Sequence, residues 1–570
     1  MTSSSSGQAD DLLGSSFLSA SWGSARMAWM GRCLLLGAVI AFLVLGGLEA
    51  WWDSATYDEP VYVASGVATV LHHDVEINDE HPPLFKVLAV LPVLAVQPVV
   101  PADGHWNLND ERSYSARFVD AQLRAGKMHA VTVASRLVPL LETAAVGLAL
   151  FALASMLFGP WAGLVAALLW LLSPLVLGIG HLDGVDMPSA LTCVLVSLTL
   201  VRWLRQRSRP AAVWLGLACG LAVAAQDTGL LLAALVAAVM VIAGWRRGQR
   251  RWSLMVPAVG VAVVTWLVLW VSYVVVDPAS VLHPWLIFPH AYVDGIRYLG
   301  SHDTGGSPGF LLGQAWSGIS VWFWPATLLV KLSTPVLLLL VLGTITLIAL
   351  ARSHRVDVTV WRYALAAVAL PALVLFVFEL TNPKTLGARY LLPSIALWCV
   401  LASPVALLAG RRLMTVALAV VLAAAAAALA TSFPHSIAYT APPFRPSYRV
   451  ATDSNVDWGQ DFGALVSWSR THLPYVAYFG PRGLGTAQIP GSRSLVGASP
   501  PTITGWVAAS ASDLTSADRH SLAWLRGYCP VGTLGGSILL YHFTSPPTAR
   551  PGPVTPAPMC AGSVSHRVSS

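Results

Sequence analysis

Two adjacent carboxylates, Asp58 and Glu59, directly follow an apolar run that ends in two tryptophans. A carboxylate can remove a proton from a hydroxyl group, and a second carboxylate can orient that hydroxyl or hold a cation. An acidic pair at the end of a membrane span is most often simply solvated. The pair alone therefore leaves a catalytic site and a solvated surface turn both open.

A second acidic stretch, "HLDGVDMP", contains His181, Asp183 and Asp186. It can be the start of a helix, with Asp186 as the cap and Pro188 early in the first turn. That interpretation explains Asp186 better than Asp183. Glu142 lies inside an apolar run, where an acid is either functional or engaged in a hydrogen bond between helices.

Basic and hydroxyl groups suited to a phosphate lie in three other stretches: His81 and Lys86 in "NDEHPPLFK", Lys331 in "KLSTP", and Lys384, Arg389 and Tyr390 in "PKTLGARYLLP". Fixed cations bind a phosphate and stabilise the charge of a leaving phosphate. Taken one by one, Lys331 can equally extend towards a membrane interface, and Arg389 with Tyr390 can belong to an interfacial belt. Together with the acidic groups, the set suggests a lipid-linked phosphate ester held near a membrane surface.

Composition defines the class of protein that must position these groups. The chain has 570 residues, of which 55% are hydrophobic and 11% charged, with a mean hydropathy of +0.65. Soluble domains carry about 25% charged residues, so this is a polytopic membrane protein. The net charge of +6 comes from basic residues in short loops between apolar runs and does not indicate nucleic-acid binding.

We predict a mostly α fold, a transmembrane bundle of about eleven spans. The predicted spans are 33–52, 137–157, 161–180, 187–204, 212–226, 229–245, 253–276, 320–350, 359–380, 390–409 and 413–432. The first run lacks a cleavage site and is interpreted as a retained span. Arginine clusters precede the first span and follow the fourth, sixth, eighth and tenth, which predicts a cytoplasmic N-terminus and places the candidate residues on the opposite face.

The remaining parts follow from this threading. We predict a disordered cytoplasmic N-terminus (1–32), a bundle (33–432) with a long first outer loop (53–136), an extracytoplasmic α/β domain (433–544) and a disordered tail (545–570). The loop segment 84–100 is predicted to be an interfacial helix, and 513–528 a helix of the outer domain. Cys529 and Cys560 could form a disulfide in an oxidising compartment. No Cys/His spacing resembles a zinc site.

The motifs resemble those of the C-superfamily of membrane glycosyltransferases that use polyprenyl-phosphate sugars. Within it, the chain is similar to the protein O-mannosyltransferase and lipid A aminoarabinose transferase branch. The matching stretches, in order, are "YDEP", "HPPLFK", "HLDGVDMP", "GFLLGQAWSGISVWFWPATLLVKLSTP", "GARYLLP", "DSNVDWGQDFGALVSW" and "GWVAASASDLTSADRHSLAWLRGYCPVGTLGGSILLYHF".

The resemblance implies roles for individual residues. Asp58 would be the base that activates an acceptor hydroxyl, with Glu59 beside it, and Asp186, Asp183 and His181 would supply the second acidic element. Lys86, Lys384 and Arg389 would hold the lipid phosphate, while Lys331 matches a Lys-Thr-Pro element that carries an insertion here. At "AAQDTG" the chain has Gln226 and Asp227 where relatives often have a lysine. Some superfamily members need a divalent cation, so metal dependence stays open.

The resulting hypothesis is a transferase of the plasma membrane that acts on its extracytoplasmic face. It would move a sugar from a polyprenyl-phosphate donor to a hydroxyl of a protein, lipid or glycan acceptor, by direct displacement with inversion. One alternative is a transporter or flippase of lipid-linked sugars, although no internal repeat is visible. Another is a non-catalytic binding protein with 433–570 as its recognition module. The stretch 453–461 fits a capped junction as well as a substrate contact.

Overall fold

The computed structural model describes residues 25–101, 111–246, 251–278, 287–302, 306–410, 412–515 and 522–568. Residues 1–24 of the predicted cytoplasmic N-terminus therefore lie outside the described residues. The first helix starts at Ala25, eight residues before the predicted span, because the apolar and small residues before Cys33 continue the helix.

Helices dominate the described chain. The first twelve are α1 (Ala25–Trp52), α2 (Glu59–His72), α3 (Pro83–Ala95), α4 (Glu111–Arg124), α5 (Met128–Ser135), α6 (Leu137–Phe158), α7 (Pro160–Leu171), α8 (Pro174–Gly180), α9 (Asp186–Gln206), α10 (Arg209–Val223), α11 (Thr228–Trp245) and α12 (Arg251–Val274). The others are α13 (His290–His302), α14 (Phe323–Lys331), α15 (Thr334–Arg352), α16 (Val358–Ala364), α17 (Leu370–Leu380), α18 (Leu392–Ala402), α19 (Arg412–Ser432), α20 (Phe462–His472) and α21 (Ala511–Thr515).

The predicted class, a mostly α membrane bundle, is confirmed. Within the described ranges, nine helical segments are long and apolar enough to cross a membrane, and one bent helix pair could form a tenth crossing. The nine segments are Ala25–Trp52, Met128–Phe158, Asp186–Gln206, Thr228–Trp245, Met255–Val274, Thr334–Arg352, Val358–Leu380, Ala388–Ala409 and Arg412–Ser432. The sequence predicted eleven, and the difference arises at 161–180 and 212–226.

The segment 161–180 is a bent pair and not one straight span. Helices α7 and α8 meet at 64°. Ser173 between them is extended, with φ −88° and ψ 121°, and Pro174 opens α8. The proline ring disfavours helical backbone in the residue before it, so the chain bends at this place. The segment 212–226 forms the shorter apolar helix α10.

The segment 320–350 also contains two helices. Leu332 and Ser333 are extended between α14 and α15, with ψ of 134° and 139°. Pro335 lies in the first turn of α15, where its missing N–H leaves no partner unsatisfied. Lys331 therefore ends a short separate helix and does not lie within a continuous span.

The core of the bundle lies where α6, α7, α9 and α18 pack together. Trp170 of α7 is fully buried there, and its indole N–H donates to the carbonyl of Thr143 at 3.0 Å. Small residues allow the helices to approach closely: a Cβ on Gly147 of α6 would lie 3.1 Å from the side chain of Leu171.

The long first loop is folded. Helices α2 to α5 pack around their own apolar cluster, which includes Val67, Val90 and Phe118. Gly66 permits the contact between α2 and α3, because a Cβ there would lie 2.8 Å from Val90 Cγ1 and 2.9 Å from the carbonyl oxygen of Lys86. The predicted helix at 84–100 is present as α3, and it ends at Ala95.

Seven strands complete the fold. They are β1 (Pro308–Leu311), β2 (Gln314–Ser317), β3 (Tyr475–Ala477), β4 (Arg493–Ser494), β5 (Gly505–Ser510), β6 (Gly532–Leu534) and β7 (Ile538–Phe543). β1 and β2 form a hairpin, whereas the other five form one sheet in the order β4-β3-β5-β7-β6. β3 is parallel to β4 and β5, and β7 is antiparallel to β5 and β6.

This sheet confirms the predicted α/β region near the C-terminus. Its faces are covered by α20 on one side and by a cluster around Trp524 on the other. The helix predicted over 513–528 differs, because the described part contains only α21 and a short turn at Leu525–Gly527.

The described tail 545–568 contacts the sheet domain, and its disorder stays a prediction. Arg567 donates to Thr548 Oγ1 at 3.0 Å, and the Cys560 amide donates to the carbonyl of Pro530 at 2.8 Å. Cys529 and Cys560 form a disulfide, the pairing considered in the sequence. The prolines, serines and threonines of the tail limit regular structure, but hydrogen bonds to the sheet domain hold its extended backbone.

Candidate active site

Asp58 lies between two arginines that come from distant parts of the chain. Arg112 of α4 donates to Asp58 Oδ1 at 3.2 Å, and Arg389, in the 3-10 turn before α18, donates to Oδ2 at 3.0 Å. Asp58 directly precedes α2 but makes no capping hydrogen bond with its side chain. Both carboxylate oxygens are thereby free to face the arginines, and the side chain keeps 15% of its surface exposed.

Arg389 links this carboxylate to the second acidic element. Its Nη1 lies 3.6 Å from an oxygen of Asp186, the first residue of α9. The guanidinium carbon lies 4.3 Å from the ring centre of Trp458 and 4.9 Å from that of Tyr390. Its Nε is buried and makes no hydrogen bond among the described residues. One strong donor of Arg389 is therefore left for an anionic ligand.

His81 lies on another side of Asp58. Its Nε2 is 3.3 Å from the hydroxyl of Tyr62 and 3.7 Å from Glu80. Burial lowers the pKa of His81 to about 4, and the charges of Lys86 and Lys384 act in the same direction. His81 is thus neutral at pH 7, and the positive charge near it is carried by the lysines.

Asp58 is ionised. Burial raises its pKa, but the charges and hydrogen bonds of Arg389 and Arg112 outweigh burial and hold the pKa below its usual value. Such a carboxylate readily accepts a hydrogen bond from a neutral hydroxyl. It takes the proton only as that hydroxyl becomes acidic during bond formation.

Glu59 faces away from Asp58. Arg136 donates to both of its oxygens, at 2.8 and 2.7 Å, and Thr56 and the Asp183 amide also donate to them. The side chain is 2% exposed. All its accepting positions are used within the protein, which differs from the catalytic role predicted for Glu59.

Asp183 is also separated from solvent and from Asp58. It is 4% exposed, and its Oδ2 makes no hydrogen bond among the described residues. Burial, together with the charges of Glu59 and Glu142, raises its pKa well above the usual value. Asp183 is thus buried away from Asp58, whereas Asp186 contacts Arg389, and a catalytic role for Asp183 stays a prediction.

Lys331 binds backbone and not an open site. Its ammonium group donates to the carbonyls of Ile437 at 2.9 Å and Tyr439 at 2.6 Å, and also to that of Asn455. Since these contacts use all three N–H bonds and the residue is 1% exposed, nothing is left for a phosphate. The predicted donor contact of Lys331 is thus replaced by a structural one.

Lys86 lies beside the site without opening into it. Its Nζ donates to the carbonyl and the side-chain oxygen of Asn78, and the residue is 6% exposed. Burial lowers its pKa to about 8, although the nearby carboxylates Asp79, Glu80 and Glu111 oppose this shift. Lys86 therefore contributes a nearby positive charge while its contacts stay within the first loop.

His181 lies elsewhere. It is fully buried beside Glu49 and Asp53 at the end of α1, and not beside Asp58. Of the eleven predicted site residues, those brought together are Asp58, His81, Asp186, Lys384, Arg389 and Tyr390.

Sequence reasoning missed Arg112, Tyr62 and Arg136. Arg112 follows Glu111 in a loop that was predicted to carry function, and this cation in a long outer loop was the available signal. Tyr62 is one helical turn after Asp58, so the assignment of a helix to α2 predicts that the two side chains lie on the same face. Arg136 lies at the end of the loop, and no local pattern connects it with Glu59.

An apolar groove lies among the helices of the bundle. A cavity of about 520 Å³ lies between α14, α15, α17 and α18, and Leu391 at its edge is two residues from Arg389. Ala369 and Leu373 also line a second cavity of about 600 Å³, so the two are adjacent. The apolar lining suits a hydrocarbon chain.

Metal binding at Asp58 gains no support from the spacing of the described residues. Among the described residues, two groups of His, Cys and carboxylate side chains have a spacing that could hold a metal ion. They are Cys529 with Cys560 and His566, and Glu49 with Asp53 and His181. The first contains the disulfide, and neither contains Asp58, whose partners are arginines.

Comparison with known proteins gives one family match. Residues 127–273 match the model of the family described as dolichyl-phosphate-mannose-protein mannosyltransferase. This match confirms the resemblance to the C-superfamily of membrane glycosyltransferases that the motifs predict. No curated protein sequence matches the chain significantly.

Three solved structures are similar at low identity. The archaeal oligosaccharyltransferase AglB from Archaeoglobus fulgidus, in complex with an inhibitory peptide and a dolichol-phosphate, has a TM-score of 0.47 at 14% identity, with 79% of this chain and 59% of that chain covered. ArnT from Cupriavidus metallidurans in the apo state gives 0.46 at 18%, covering 78% and 70%. The Pmt1–Pmt2 protein O-mannosyltransferase complex of S. cerevisiae gives 0.31 at 15%, covering 50% and 39%.

Proposed function

We propose that the protein transfers a sugar from a polyprenyl-phosphate donor to an acceptor hydroxyl, at the membrane face where Asp58 lies. The observation that carries this proposal is the position of Asp58 between Arg112 and Arg389. Leu391, two residues after Arg389, lines the apolar groove. An ionised carboxylate can receive an acceptor hydroxyl, and guanidinium groups beside it can receive a phosphate. The groove accounts for the lipid part of the donor.

The proposed reaction is one displacement at the anomeric carbon. The acceptor hydroxyl donates a hydrogen bond to Asp58, and its oxygen forms a bond to the anomeric carbon. The bond between that carbon and the phosphate oxygen breaks, and the polyprenyl phosphate leaves with the electron pair. The acceptor proton passes to Asp58. One displacement inverts the anomeric configuration.

Arg389 is the proposed phosphate ligand. Its buried Nε has no partner among the described residues, and its position is fixed between Trp458 and Tyr390. Arg112 and Lys384 add positive charge around the leaving phosphate. Because a phosphate ester of a lipid is a good leaving group, stabilising its charge removes the need for a strong general acid.

Asp186 has a positioning role in this scheme. It lies 3.6 Å from Nη1 of Arg389, on the side opposite to Asp58. The two carboxylates hold the two Nη atoms of the guanidinium group, and neither is a hydrogen-bond partner of Nε.

The location follows from charge. Arginines cluster at the other ends of the helices, and positive loops face the cytoplasm. We therefore place Asp58 on the extracytoplasmic side of the plasma membrane. The rival hypothesis of a transporter or flippase finds no support in the family match or in the site.

A vesicle experiment separates transfer from transport. Purified protein in vesicles is given a panel of polyprenyl-phosphate sugars and hydroxyl acceptors, and free polyprenyl phosphate and glycosylated acceptor are measured. Transfer predicts that both appear in equal amounts. Movement of intact donor across the bilayer without release of polyprenyl phosphate would contradict the proposal.

A further inference from the structure

A second group of ionisable side chains lies at the end of α1, apart from the arginine-bound Asp58. Glu49 and His181 are fully buried, and Asp53 is 8% exposed. His181 Nε2 lies 3.3 Å from Asp53 Oδ2, and His181 Nδ1 lies 3.8 Å from Glu49 Oε2. One potential ligand atom from each residue lies within 4.8 Å of the other two.

Glu49 and His181 each have one polar atom held by a hydrogen bond and a second polar atom without one. Ser436 donates to Glu49 Oε1 from its hydroxyl at 2.6 Å and from its amide at 3.3 Å. His181 Nδ1 lies 2.9 Å from the carbonyl of Leu177, which can only accept, so Nδ1 carries the proton. Glu49 Oε2 and His181 Nε2 make no hydrogen bond among the described residues.

This arrangement has the features of a ligand set. The Nε2 of His181 has a lone pair and lies 3.3 Å from an oxygen of Asp53, while an oxygen of Glu49 lies 3.8 Å from Nδ1 of the same ring. In a buried place such atoms repel each other unless a positive charge lies between them. Metal-binding histidines characteristically donate their other N–H to a backbone carbonyl, as His181 does. The hydrogen bonds from Ser436 orient Glu49 in the same way.

We propose that Glu49, Asp53 and His181 bind a divalent transition-metal cation such as Zn²⁺ or Mn²⁺. An imidazole nitrogen with two carboxylate oxygens suits these ions better than Mg²⁺ or Ca²⁺, which take oxygen ligands. The site is separate from the proposed reaction, because none of its ligands contacts Asp58 or Arg389.

The role of the cation is to fasten three parts of the chain. Glu49 lies in the last turn of α1 and Asp53 directly follows that helix. His181 belongs to the turn that leads to Asp186, and Ser436 follows α19. The carbonyl of Asp53 also accepts a hydrogen bond of 2.7 Å from Arg136, the residue that binds Glu59. The cation thus stabilises the end of α1, from which the chain continues to Asp58.

Metal content provides the first test. The full-length protein is purified in detergent without metal-affinity steps, and its metals are measured by inductively coupled plasma mass spectrometry. We expect about one equivalent of a transition metal per chain, and a loss of most of it in His181→Asn and Glu49→Gln. His435→Asn, which changes an exposed histidine next to Ser436, should keep the metal. Equal metal content in all four proteins would overturn the assignment.

Thermal unfolding of the unmodified protein provides a test that needs no variant. A strong chelator should lower Tm, and Zn²⁺ or Mn²⁺ should restore it, whereas Mg²⁺ and Ca²⁺ should not. The competing arrangement is a protonated His181 paired with both carboxylates. If the protein contained no metal, and if its Tm changed with neither chelator nor added Zn²⁺, the metal would be ruled out in favour of that ion pair.

Discussion

The neighbours Asp58 and Glu59 have different surroundings although they are adjacent in sequence. Asp58 contacts two arginines and keeps part of its surface exposed, whereas Glu59 is buried against Arg136. The acidic pair and its candidate role could be read from the sequence. Which member is buried could not, because it depends on Arg136, 77 residues further along the chain.

Replacement of Glu59 tests this division of roles. Glu59→Gln should lower the free energy of unfolding by about 3–5 kcal/mol, because it leaves the buried charge of Arg136 without its partner. The protein that remains folded should keep most of its transfer activity per molecule. Thermal unfolding and transfer per folded molecule measure the two effects. A variant with normal Tm and no activity would instead make Glu59 catalytic.

At the scale of elements, prolines and loops decide how the helices present the site. The apolar runs predicted most of the spans, since length and hydropathy are local properties. The breaks before α8 and α15 depend on Ser173 and Pro174, and on Leu332 and Ser333, where extended backbone interrupts an apolar run. The folded first loop was harder to predict, because Arg112 reaches Asp58 only through the packing of α4 on α2.

The groove gives a prediction at this scale. Ala369 lines both apolar cavities, so Ala369→Phe should obstruct a long lipid chain. A steric penalty of about 1–3 kcal/mol on binding of the lipid corresponds to a roughly 5- to 160-fold higher KM for a long-chain donor. A donor with a lipid short enough to end before Ala369 should be affected little.

The matched control is Ala417→Phe, at an exposed position of α19. Steady-state kinetics with long and short donors compares the three proteins. If Ala369→Phe treated both donor lengths alike, the groove would not be the lipid site.

At the scale of the whole molecule, Lys331 connects the bundle with the C-terminal region. Its ammonium group binds three carbonyls between residues 437 and 455, and the side chain of Asn455 accepts a hydrogen bond of 3.0 Å from the Ala388 amide. Ala388 is next to Arg389. The lysine was visible in the sequence, but its partners lie more than a hundred residues away, so the sequence suggested a phosphate instead.

Lys331→Met should therefore act through stability. Three buried carbonyls lose their donor, at a cost of about 1–3 kcal/mol each, so Tm should fall markedly. We expect kcat to fall and the KM for donor to stay unchanged, because no phosphate contact is lost. Lys127→Met, which removes a more exposed lysine that also binds carbonyls, is the control. A higher KM for the donor together with a normal Tm would instead indicate that Lys331 contacts the donor phosphate.

The most direct test of the central claim is transfer by Asp58→Asn. The amide keeps the size of the side chain but cannot take the acceptor proton. With a polyprenyl-phosphate sugar that the unmodified protein accepts, kcat should fall about 10²- to 10⁴-fold while the protein stays folded in the membrane. Asp120→Asn, which changes an exposed loop carboxylate paired with Arg124, should transfer normally. Near-full release of polyprenyl phosphate by Asp58→Asn would contradict the assignment of Asp58 as the base.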